Sequence, residues 1–362
     1  MIVLLIVTAA GAAYLCLALF SLARFIRRPV ATPFEMPRVC VLKPLYGAEP
    51  GLYESLASFC DQDYPDFEIV FCLHDESDAA APIAARVARD FAHVPIRIVY
   101  GDNPRIANPK ISNLAKPGAE PHGDLVVLAD SDIWVGRDYL RAIAASFANE
   151  RTGAVTCLYG AIPIETFAAR LGAMRSEEEF CPSVLVANAL SKMEFCLGAT
   201  MAVRRTVLED IGGLEAIGKN LADDYNLGKL VVGHGRNVEL SRYVVRTTVA
   251  ETTLHALWNR EVRWARTNFK LAPAGHVFSF LMYALPFAFV YAMLAHDAVA
   301  YGLLVLVAAL RLSLHAAARA AFGNGRRDEP WLVPPRDLFS VAVWAASLVI
   351  RTVRWRGAHH RM

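Results

Sequence analysis

The sequence predicts an α/β protein with a mostly parallel sheet and flanking helices, plus transmembrane or interfacial helices at both ends. In the middle of the chain, short apolar runs alternate with helix-like segments, and a polar loop follows each run. This alternation is typical of a parallel sheet whose ligands bind at the carboxyl ends of the strands. The excess of apolar residues, which make up 55% of the 362 residues, lies instead at the two ends.

The net charge and the cysteine pattern narrow the possible classes of function. Lys and Arg number 37 and Asp and Glu 35, so the formal net charge is only +2 and nothing indicates a nucleic-acid-binding protein. The seven cysteines are scattered and form no CxxC pair. This pattern favours reduced thiols in a cytosolic domain over a disulfide framework or a structural zinc site.

The first element is an apolar segment. Residues 1–23 carry no charged side chain and are long enough to cross a bilayer as a helix. The segment lacks a basic start and a convincing cleavage site, and it is followed by Arg24, Arg27, Arg28 and Arg38. We therefore predict an uncleaved anchor over residues 1–24, with the N-terminus outside and the following domain in the cytoplasm. The alternative is a buried helix of a globular domain.

Charged side chains follow three of the strands that we predict within residues 38–253. Lys43 lies at the end of the first strand, Asp75 follows the second, and Asp130 and Asp132 follow the fourth. Because the carboxyl ends of parallel strands meet at one edge of a sheet, we expect these side chains to line a ligand-binding edge.

The two carboxylates after the fourth strand are spaced i, i+2. From an extended backbone, Asp130 and Asp132 would point the same way, and a divalent ion, Mg²⁺ or Mn²⁺, can bridge such a pair to phosphate oxygens. The alternative is a polar turn that closes a strand. The chain contains neither GxGxxG nor GxxxxGK[ST], so metal, Lys and Arg would have to bind any phosphate.

Three further polar segments stand out. Asn108-Pro109-Lys110 supplies a lysine that suits phosphate or ribose contacts, although such residues more commonly serve in loops and caps. Asp223 and Asp224 open a predicted helix, where an acidic pair is commonly a cap. The acidic run at residues 177–179 is interpreted as a solvated charged face and receives no role.

Residues 254–271 predict an amphipathic helix. Its apolar residues recur at steps of three or four and form one stripe: Leu254, Trp258, Val262, Ala265 and Phe269. At about 100° per residue, the opposite face collects Arg260, Arg263, Trp264 and Thr267. A tryptophan on the basic face suggests that this face meets a ligand, so residues 254–272 are predicted to lie at the membrane surface between lipid and site. The alternative is an ordinary basic interfacial helix whose Trp anchors in headgroups.

Residues 277–355 are predicted to hold the C-terminal membrane segments. Residues 277–294 and 298–318 are apolar and separated by two residues only, which predicts a helical hairpin. Residues 338–350 are apolar but short, and several arginines follow them. A re-entrant or interfacial segment and a third C-terminal span are therefore equal alternatives there.

Two polar residues interrupt the second arm of this hairpin. Arg311 and His315 lie one turn apart, and such residues within membrane segments usually face a protein interior or a polar cavity. A role at a lipid headgroup or at an acceptor molecule stays open.

The motifs occur in a defined order: Lys43-Pro44-Leu45, Asp75, Asn108-Pro109-Lys110, Asp130-Ser131-Asp132, Asp223-Asp224 and Arg260-Glu261-Val262-Arg263-Trp264. In that order the set resembles the family 2-like glycosyltransferases of GT-A fold, and in particular the ceramide glucosyltransferases of family 21, which include bacterial ceramide and hopanoid glycosyltransferases. The resemblance covers about residues 38–273, with membrane segments matching at both ends. It implies a GT-A catalytic domain over residues 38–253.

The resemblance implies which residues bind the donor. Five residues would bind the nucleotide sugar: Lys43, Asp75, Lys110, Asp130 and Asp223. Among them, Asp75 would contact the uracil or ribose. Asp130 and Asp132 would hold the divalent cation, Mg²⁺ or Mn²⁺, on the diphosphate.

It also implies the catalytic residues. Asp224 would be the general base that deprotonates the acceptor hydroxyl. Arg260, Arg263 and Trp264 match the (Q/R)xxRW motif, which would close over the diphosphate and the acceptor.

The chain departs from the animal members of the family at two places. They carry Gly where Asp132 stands, so the metal site is expected to be more complete here. They also have His-Pro where this chain has Cys181-Pro182, and Cys181 is either a small core residue or a soft metal ligand.

The function implied is an inverting transfer of a single glucose from UDP-glucose to ceramide at the cytosolic membrane face, by a multi-pass protein of the bacterial inner membrane. Its partners would be a UDP-sugar, a membrane lipid acceptor and the bilayer. The nearest alternative is transfer of N-acetylglucosamine to a hopanoid such as bacteriohopanetetrol. Two remote alternatives are a phosphatase with an aspartate nucleophile, which expects Thr or Val where Trp134 stands, and a non-catalytic membrane scaffold that binds nucleotide sugar.

Overall fold

The computed structural model describes residues 1–29, 35–219, 222–323, 325–350, 352–355 and 358–361. The chain forms two compact units. The sheet unit comprises Arg28–Tyr159 and Ser191–Thr248, and the helical unit comprises Met1–Arg27, Gly160–Leu190 and Val249–Met362. The helical unit is thus assembled from three separate stretches of sequence.

The sheet unit contains an eight-stranded mixed sheet. Its strands are β1 (Val39–Pro44), β2 (Phe67–Leu73), β3 (Ile96–Tyr100), β4 (Leu125–Ala129), β5 (Ile133–Trp134), β6 (Thr152–Pro163), β7 (Thr200–Arg204) and β8 (Asn237–Val249), the last residues of β6 and β8 belonging to the helical unit. The order across the sheet is β3-β2-β1-β4-β7-β6-β8-β5. β1 pairs in parallel with β2 and β4, and β2 with β3, which confirms the predicted α/β fold. β7 is antiparallel to β4 and β6, so the sheet is mixed.

Apolar burial explains why these runs become strands. All residues of β2 and β4 are buried, as expected for central strands covered on both faces. Three helices add to this core: α2 (Leu52–Cys60), α3 (Ala81–Asp90) and α5 (Tyr139–Ser146). Phe59 of α2 meets Tyr139 of α5 edge to face, with 5.5 Å between the ring centroids. A fully buried Phe stabilises the fold by about 1.5–3 kcal/mol.

The strand register brings the polar strand ends to one edge. Leu42 of β1 pairs with Leu128 of β4, and Lys43 of β1 pairs with Phe71 of β2. The three strands therefore end side by side, and the residues that follow them share an edge. The remaining helices of this unit are α4 (Pro109–Leu114), α8 (Arg205–Asp210), α9 (Gly213–Ile217) and α10 (Asp223–Gly233).

The helical unit begins with α1 (Ile2–Ile26), which packs against α7 (Cys181–Leu190), α13 (Ala284–Ala295) and α14 (Ala298–Phe322). Its other helices are α6 (Phe167–Met174), α11 (Leu254–Leu271), α12 (Pro273–Phe278) and α15 (Val333–Val349). A π-helical turn, Arg175–Phe180, joins α6 to α7. The described chain ends in a hairpin of β9 (Thr352–Trp355) and β10 (Ala358–Arg361).

Three helices in the described ranges are long and apolar enough to cross a membrane: Ile2–Ile26, Ala298–Phe322 and Pro330–Val349. Pro273–Met282 and Ala284–Ala295, bent by 60° at the break between them, would make a fourth, broken span. The predicted first hairpin arm, residues 277–294, is therefore not one continuous helix. The cause is Pro286, whose ring would clash with the carbonyl of residue 282 if the helix continued.

The last membrane segment starts earlier than its apolar run. α15 begins at Val333, five residues before the predicted start at residue 338, and together with the preceding turn it reaches 20 residues, the length of a span. Its early turns contain Arg336 and Asp337, both buried. Their ion pairs, described below, allow charged residues inside a helix of this kind.

The interpretation of residues 177–179 as a solvated face is wrong. Glu177, Glu178 and Glu179 are all buried, at 5% exposure or less. Each carboxylate is paired with arginines that are more than 130 residues away in the sequence, such as Arg311 with Glu178 and Arg336 with Glu179. A local charge pattern cannot reveal partners at that separation.

Candidate active site

A lysine joins two of the predicted carboxylates at the strand edge. Lys110 Nζ lies 2.7 Å from Asp130 Oδ1 and 3.2 Å from Asp223 Oδ2, and it donates a 3.0 Å hydrogen bond to the carbonyl of Gly198. Burial alone would lower the pKa of Lys110, but the carboxylates of Asp130 and Asp223 hold the pKa above its usual value. Lys110 therefore stays a cation at the centre of an acidic cluster.

The start of α4 positions this lysine. Asn108 caps the helix, its side-chain oxygen accepting from the backbone N–H groups of Lys110 at 2.9 Å and Ile111 at 3.3 Å. Pro109 takes the first helical position, where its missing N–H costs nothing. The Asn108 amide also donates to Asp223 Oδ1 at 3.3 Å. The cap chemistry of Asn108 and the charge of Lys110 thus serve the same site.

Asp224 stands beside this cluster with a basic carboxylate. Burial and the adjacent Asp223 raise the pKa of Asp224 to about 6. At neutral pH the group is ionised and can still accept a proton. Gly198 makes room for it, because a Cβ there would lie 3.2 Å from Asp224 Oδ2.

The loop that carries the two spaced carboxylates is held on both sides. Thr247 of β8 donates to Asp132 Oδ2 at 2.6 Å, and Ser55 of α2 donates to the carbonyl of Ser131 at 2.5 Å. Burial raises the pKa of Asp132, and burial together with Asp132 raises the pKa of Asp130 to about 6 although Lys110 opposes it. Both carboxylates are therefore costly to ionise without a cation nearby.

Lys43 lies beneath this loop rather than on its surface. The side chain is fully buried, donates to the carbonyl of Asp130 at 2.9 Å, and places its ammonium 3.8 Å from the ring centroid of Phe59. Burial lowers the pKa of Lys43 to about 7. In this structure Lys43 supports the backbone of Asp130.

Asp75 lies at the exposed end of β2. Its side chain is 52% exposed and accepts a 2.7 Å hydrogen bond from the backbone of Ser77. Hydrogen bonds from Ser77 lower the pKa of Asp75. The neighbouring His74 pairs with Asp102.

Sequence reasoning missed Lys116. This residue is 4% exposed, and its ammonium donates to the carbonyls of Leu73 and Gly101 and to Asn113 Oδ1. The Asn113 amide in turn donates to the carbonyl of Cys72 at 2.9 Å. Together they tie the ends of β2 and β3. The spacing of Asn113 and Lys116, i and i+3 across the end of α4, was the available signal.

The basic motif lies on α11 in the helical unit. The Arg260 guanidinium is 4.8 Å from the ring centroid of Trp264 and 2.7 Å from Glu251 Oε1. Gly172 of α6 leaves space for it, since a Cβ there would lie 2.7 Å from Arg260 Nη2. Thr267 donates to the carbonyl of Arg263 at 3.1 Å.

The predicted apolar stripe of α11 is only partly right. Val262 and Ala265 are buried, but Leu254 is 45% exposed. The buried face also includes Leu257 and two charged residues, Glu261 and Arg266. The stripe is displaced because Glu261 has a buried partner, so a charged residue takes a position that apolar patterning assigns to the surface.

The donor set fits a divalent ion bound together with a diphosphate. In the part of the chain that the structure describes, no three His, Cys, Asp or Glu side chains gather around a point that could hold a metal. Asp130 and Asp132 would therefore supply two carboxylate ligands, which is how Mg²⁺ is commonly held when phosphates and water complete the shell. Cys181 is fully buried at the start of α7, as a small core residue would be.

The comparisons with known proteins identify the class as glycosyltransferase. The family model of glycosyl transferase family 21 matches residues 3–362, and the chain belongs to that family. Ceramide glucosyltransferase 1 of Caenorhabditis elegans is 26% identical over 239 residues, covering 66% of this chain and 51% of the relative. Ceramide glucosyltransferase of Komagataella phaffii is 37% identical over 113 residues, covering 30% of this chain and 22% of the relative. The chain thus spans about half the length, or less, of these curated relatives.

A solved structure supports the fold. A mannosyltransferase of Pyrobaculum calidifontis, in complex with GDP-Man and Mn²⁺, superposes with a TM-score of 0.56 at 21% identity, covering 96% of this chain and 99% of that one. This likeness confirms the GT-A fold predicted from the sequence, and the family model confirms the predicted glycosyltransferase family.

Proposed function

We propose that this protein transfers a single glucose from UDP-glucose to ceramide at the cytosolic face of a membrane, with inversion at the anomeric carbon. The observation that carries the proposal is the acidic cluster in which Lys110 joins Asp130 to Asp223, with Asp224 and its pKa of about 6 alongside. Residues 38–253 would be the catalytic domain and residues 254–272 an interfacial helix. Residues 1–24 and 277–355 would hold the protein in the membrane.

The chemistry is a single displacement. Asp224 accepts the proton of the acceptor hydroxyl, the acceptor oxygen forms a bond to the anomeric carbon, and the bond from that carbon to the UDP oxygen breaks with its electron pair on UDP. A divalent ion held by Asp130 and Asp132 would neutralise charge on the diphosphate. Lys110, already a cation in the cluster, adds to that neutralisation. Because attack and departure occur on opposite faces, an α-linked donor gives a β-glycoside.

Arg260, Arg263 and Trp264 would act on the diphosphate and the acceptor. The stack of Arg260 on Trp264 holds a guanidinium in a defined orientation. Asp75, exposed at the end of β2, is placed in the proposal at the uracil or ribose. Lys43 would contribute through the backbone of Asp130, which it supports.

The lipid acceptor is supported by the helical unit and by the relatives. Three helices of the described chain have the length and composition of membrane spans, and the curated relatives are named ceramide glucosyltransferases. A long-chain acceptor would reach the enzyme from the bilayer.

The first experiment replaces the proposed base. We expect Asp224→Asn to lower the rate of UDP release from UDP-glucose and ceramide by about 10²–10⁴-fold, because the amide cannot accept the proton. UDP-glucose binding, measured by calorimetry, should persist. The control is Asp210→Asn at the exposed end of α8, which should keep the wild-type rate. Wild-type turnover by Asp224→Asn would reject the base.

The second experiment identifies the substrates. Wild-type protein is given UDP-glucose or UDP-N-acetylglucosamine with ceramide or bacteriohopanetetrol, and glycolipids are identified by mass spectrometry. Glucosylceramide is the expected product. Turnover with the hopanoid alone would assign the alternative acceptor, and binding of nucleotide sugar without turnover of any acceptor would favour the scaffold.

A further inference from the structure

The helix α11, which carries the Arg260–Trp264 motif, has one carboxylate side chain, and that side chain is fully buried. Glu261 stands inside the Arg260–Trp264 motif, and Arg263, two residues on, lies about 200° further round the helix. Arg336 of α15 binds both Glu261 oxygens, with Nη1 at 2.9 Å from Oε1 and Nη2 at 2.7 Å from Oε2. Both side chains are 0% exposed. The motif helix is therefore held from its buried side by a two-pronged ion pair.

Arg336 is itself fixed from several elements. Its Nε donates to Glu179 Oε1 at 2.8 Å, and Nη1 donates to the carbonyl of Leu171 in α6 at 3.2 Å. Ser340, one turn along α15, donates to the same Glu179 oxygen at 2.6 Å. Arg175 pairs with the other oxygen of Glu179 at 3.0 Å. Two guanidinium groups thus face two carboxylates, and the group is electrically balanced.

Stability alone does not account for this arrangement. Burying an ion pair gains little over an apolar pair of similar size, and α11 already packs on α15 through apolar contacts, such as Trp258 against Phe339 with 5.8 Å between the ring centroids. Apolar side chains can repack with little loss of stability, so their contacts define the rotation of a helix less sharply. A two-pronged arginine–carboxylate pair is directional and fixes the rotation.

The rotation of α11 decides where the motif side chains point. With side chains about 5–6 Å from the helix axis, a rotation of about 20° would move their ends by about 2 Å. A misplacement of about 1 Å at a reacting centre can lower a rate about 100-fold. Under the proposed function, a displacement of this size at the motif would lower the rate of sugar transfer.

We propose that Glu261 and Arg336 are positioning residues for sugar transfer: their ion pair sets the rotation of α11 and thereby the directions in which Arg260, Arg263 and Trp264 point. The inference rests on the proposed function, because it assigns the motif a part in the reaction. It gives a role to Glu179 of the acidic run as the residue that holds Arg336.

The test removes the two-pronged geometry and keeps the charge. We expect Arg336→Lys to lower kcat about 10–100-fold while the KM for UDP-glucose changes less than threefold, since one ammonium cannot bind both Glu261 oxygens. The matched control is Arg311→Lys. Arg311 is 3% exposed and binds Asp337 and Glu178 through three nitrogens, so the structure commits it to buried ion pairs rather than to an acceptor. Neither partner is on α11. The Arg311→Lys variant should lower the unfolding temperature about as much as Arg336→Lys does and should keep kcat within threefold of wild type.

A second variant separates positioning from stability. Glu261→Leu combined with Arg336→Met replaces the pair by apolar groups, which should restore the unfolding temperature to within a few degrees of wild type. Under the proposal kcat stays low, because the apolar pair does not fix the rotation. Recovery of kcat together with stability would show a merely structural pair and overturn the proposal.

The outcomes also separate the two proposals. Each variant is assayed with the acceptor that the wild type uses. Wild-type protein without turnover of any acceptor would reject the proposed function and, with it, the role of the pair. Wild-type turnover that Arg336→Lys retains, or that falls equally in Arg311→Lys, would reject the pair's role alone.

Discussion

Two adjacent carboxylates take different parts in the acidic cluster. Asp223 is 10% exposed and paired with Lys110, whereas the pKa of Asp224 is raised to about 6 by burial and by its neighbour. The residue pattern alone indicated a helix cap, whereas the family resemblance implied donor binding for Asp223 and the general base for Asp224. The structure adds that Lys110 pairs with Asp223. Asp223 therefore raises the pKa of Asp224, the proposed base.

This tuning predicts the pH dependence of the reaction. Asp224 must be ionised to act, so kcat/KM should fall tenfold per pH unit below about pH 6. Asp223→Asn removes a negative charge that raises the pKa of Asp224, so the acidic limb should move to lower pH. The measurement is kcat/KM between pH 4.5 and 8, about the pKa of the cluster. An acidic limb that stays in place or moves to higher pH in Asp223→Asn would contradict the prediction. The control variant, Asp210→Asn, should leave the acidic limb of the wild type unchanged.

Two further residues, Asp130 and Asp132, predict that the reaction depends on a divalent metal ion. If Asp130 and Asp132 bind one ion, EDTA should abolish turnover and added Mg²⁺ or Mn²⁺ should restore it. Asp132→Asn should raise the metal concentration needed for half-maximal rate, since one of at most two protein ligands is weakened. Manganese binding followed by electron paramagnetic resonance gives a readout besides activity. Turnover that is unaffected by EDTA would remove the metal from the reaction.

At the scale of elements, α6 and α11 depend on a small residue between them. Gly172 lies where a Cβ would come within 2.7 Å of Arg260 Nη2 and within 3.0 Å of Leu257 Cδ1 and Val249 Cγ1, so a larger residue must displace the guanidinium and press on two buried side chains. The displaced guanidinium would also leave its ion pair with Glu251. A substitution there should therefore affect both the motif and the packing of α6 on α11.

We expect Gly172→Ala to lower kcat about tenfold or more and to lower the free energy of unfolding modestly, because the helix propensity gained offsets only part of the cost of the displaced contacts. The control is Gly302→Ala in α14, where a Cβ would meet nothing within 4 Å. It should keep kcat and stabilise the helix by about 0.5–1 kcal/mol. Denaturant unfolding measures the stability of both variants. Equal kcat values in Gly172→Ala and Gly302→Ala would contradict the prediction.

At the scale of the whole molecule, apolar helices come from both ends of the chain. Ile2–Ile26 is joined in the helical unit by Ala298–Phe322 and Pro330–Val349. Each has the length and composition of a span, so membrane attachment would not depend on any one of them.

This predicts the behaviour of a truncated protein. After residues 1–24 are deleted, the protein should still float with membranes in a density gradient after an alkaline wash, because the C-terminal helices remain. Full-length protein is the control for integral attachment. Recovery of the truncated protein in the wash would show that the first helix alone anchors the chain.

Local patterning was sufficient for much of the fold. Strand and helix alternation determined the α/β sheet, because apolar period and turn residues are local properties, and the order of the motifs determined the glycosyltransferase class. The lengths of the apolar runs were sufficient to predict the first helix, α1, and the long helix α14. The break before α13 was also accessible from Pro286, although the hairpin prediction overlooked it.

The tertiary structure decided which charged residues are paired and buried. Residues 177–179 and Glu261 follow the pattern of solvated positions, yet arginines from α14 and α15 neutralise them inside the helical unit. Lys43 and Lys116 likewise proved to be buried supports of strand ends. The physical reason is that an ion pair depends on distance in space, and burial of a charge is tolerated only once its distant partner has been brought beside it.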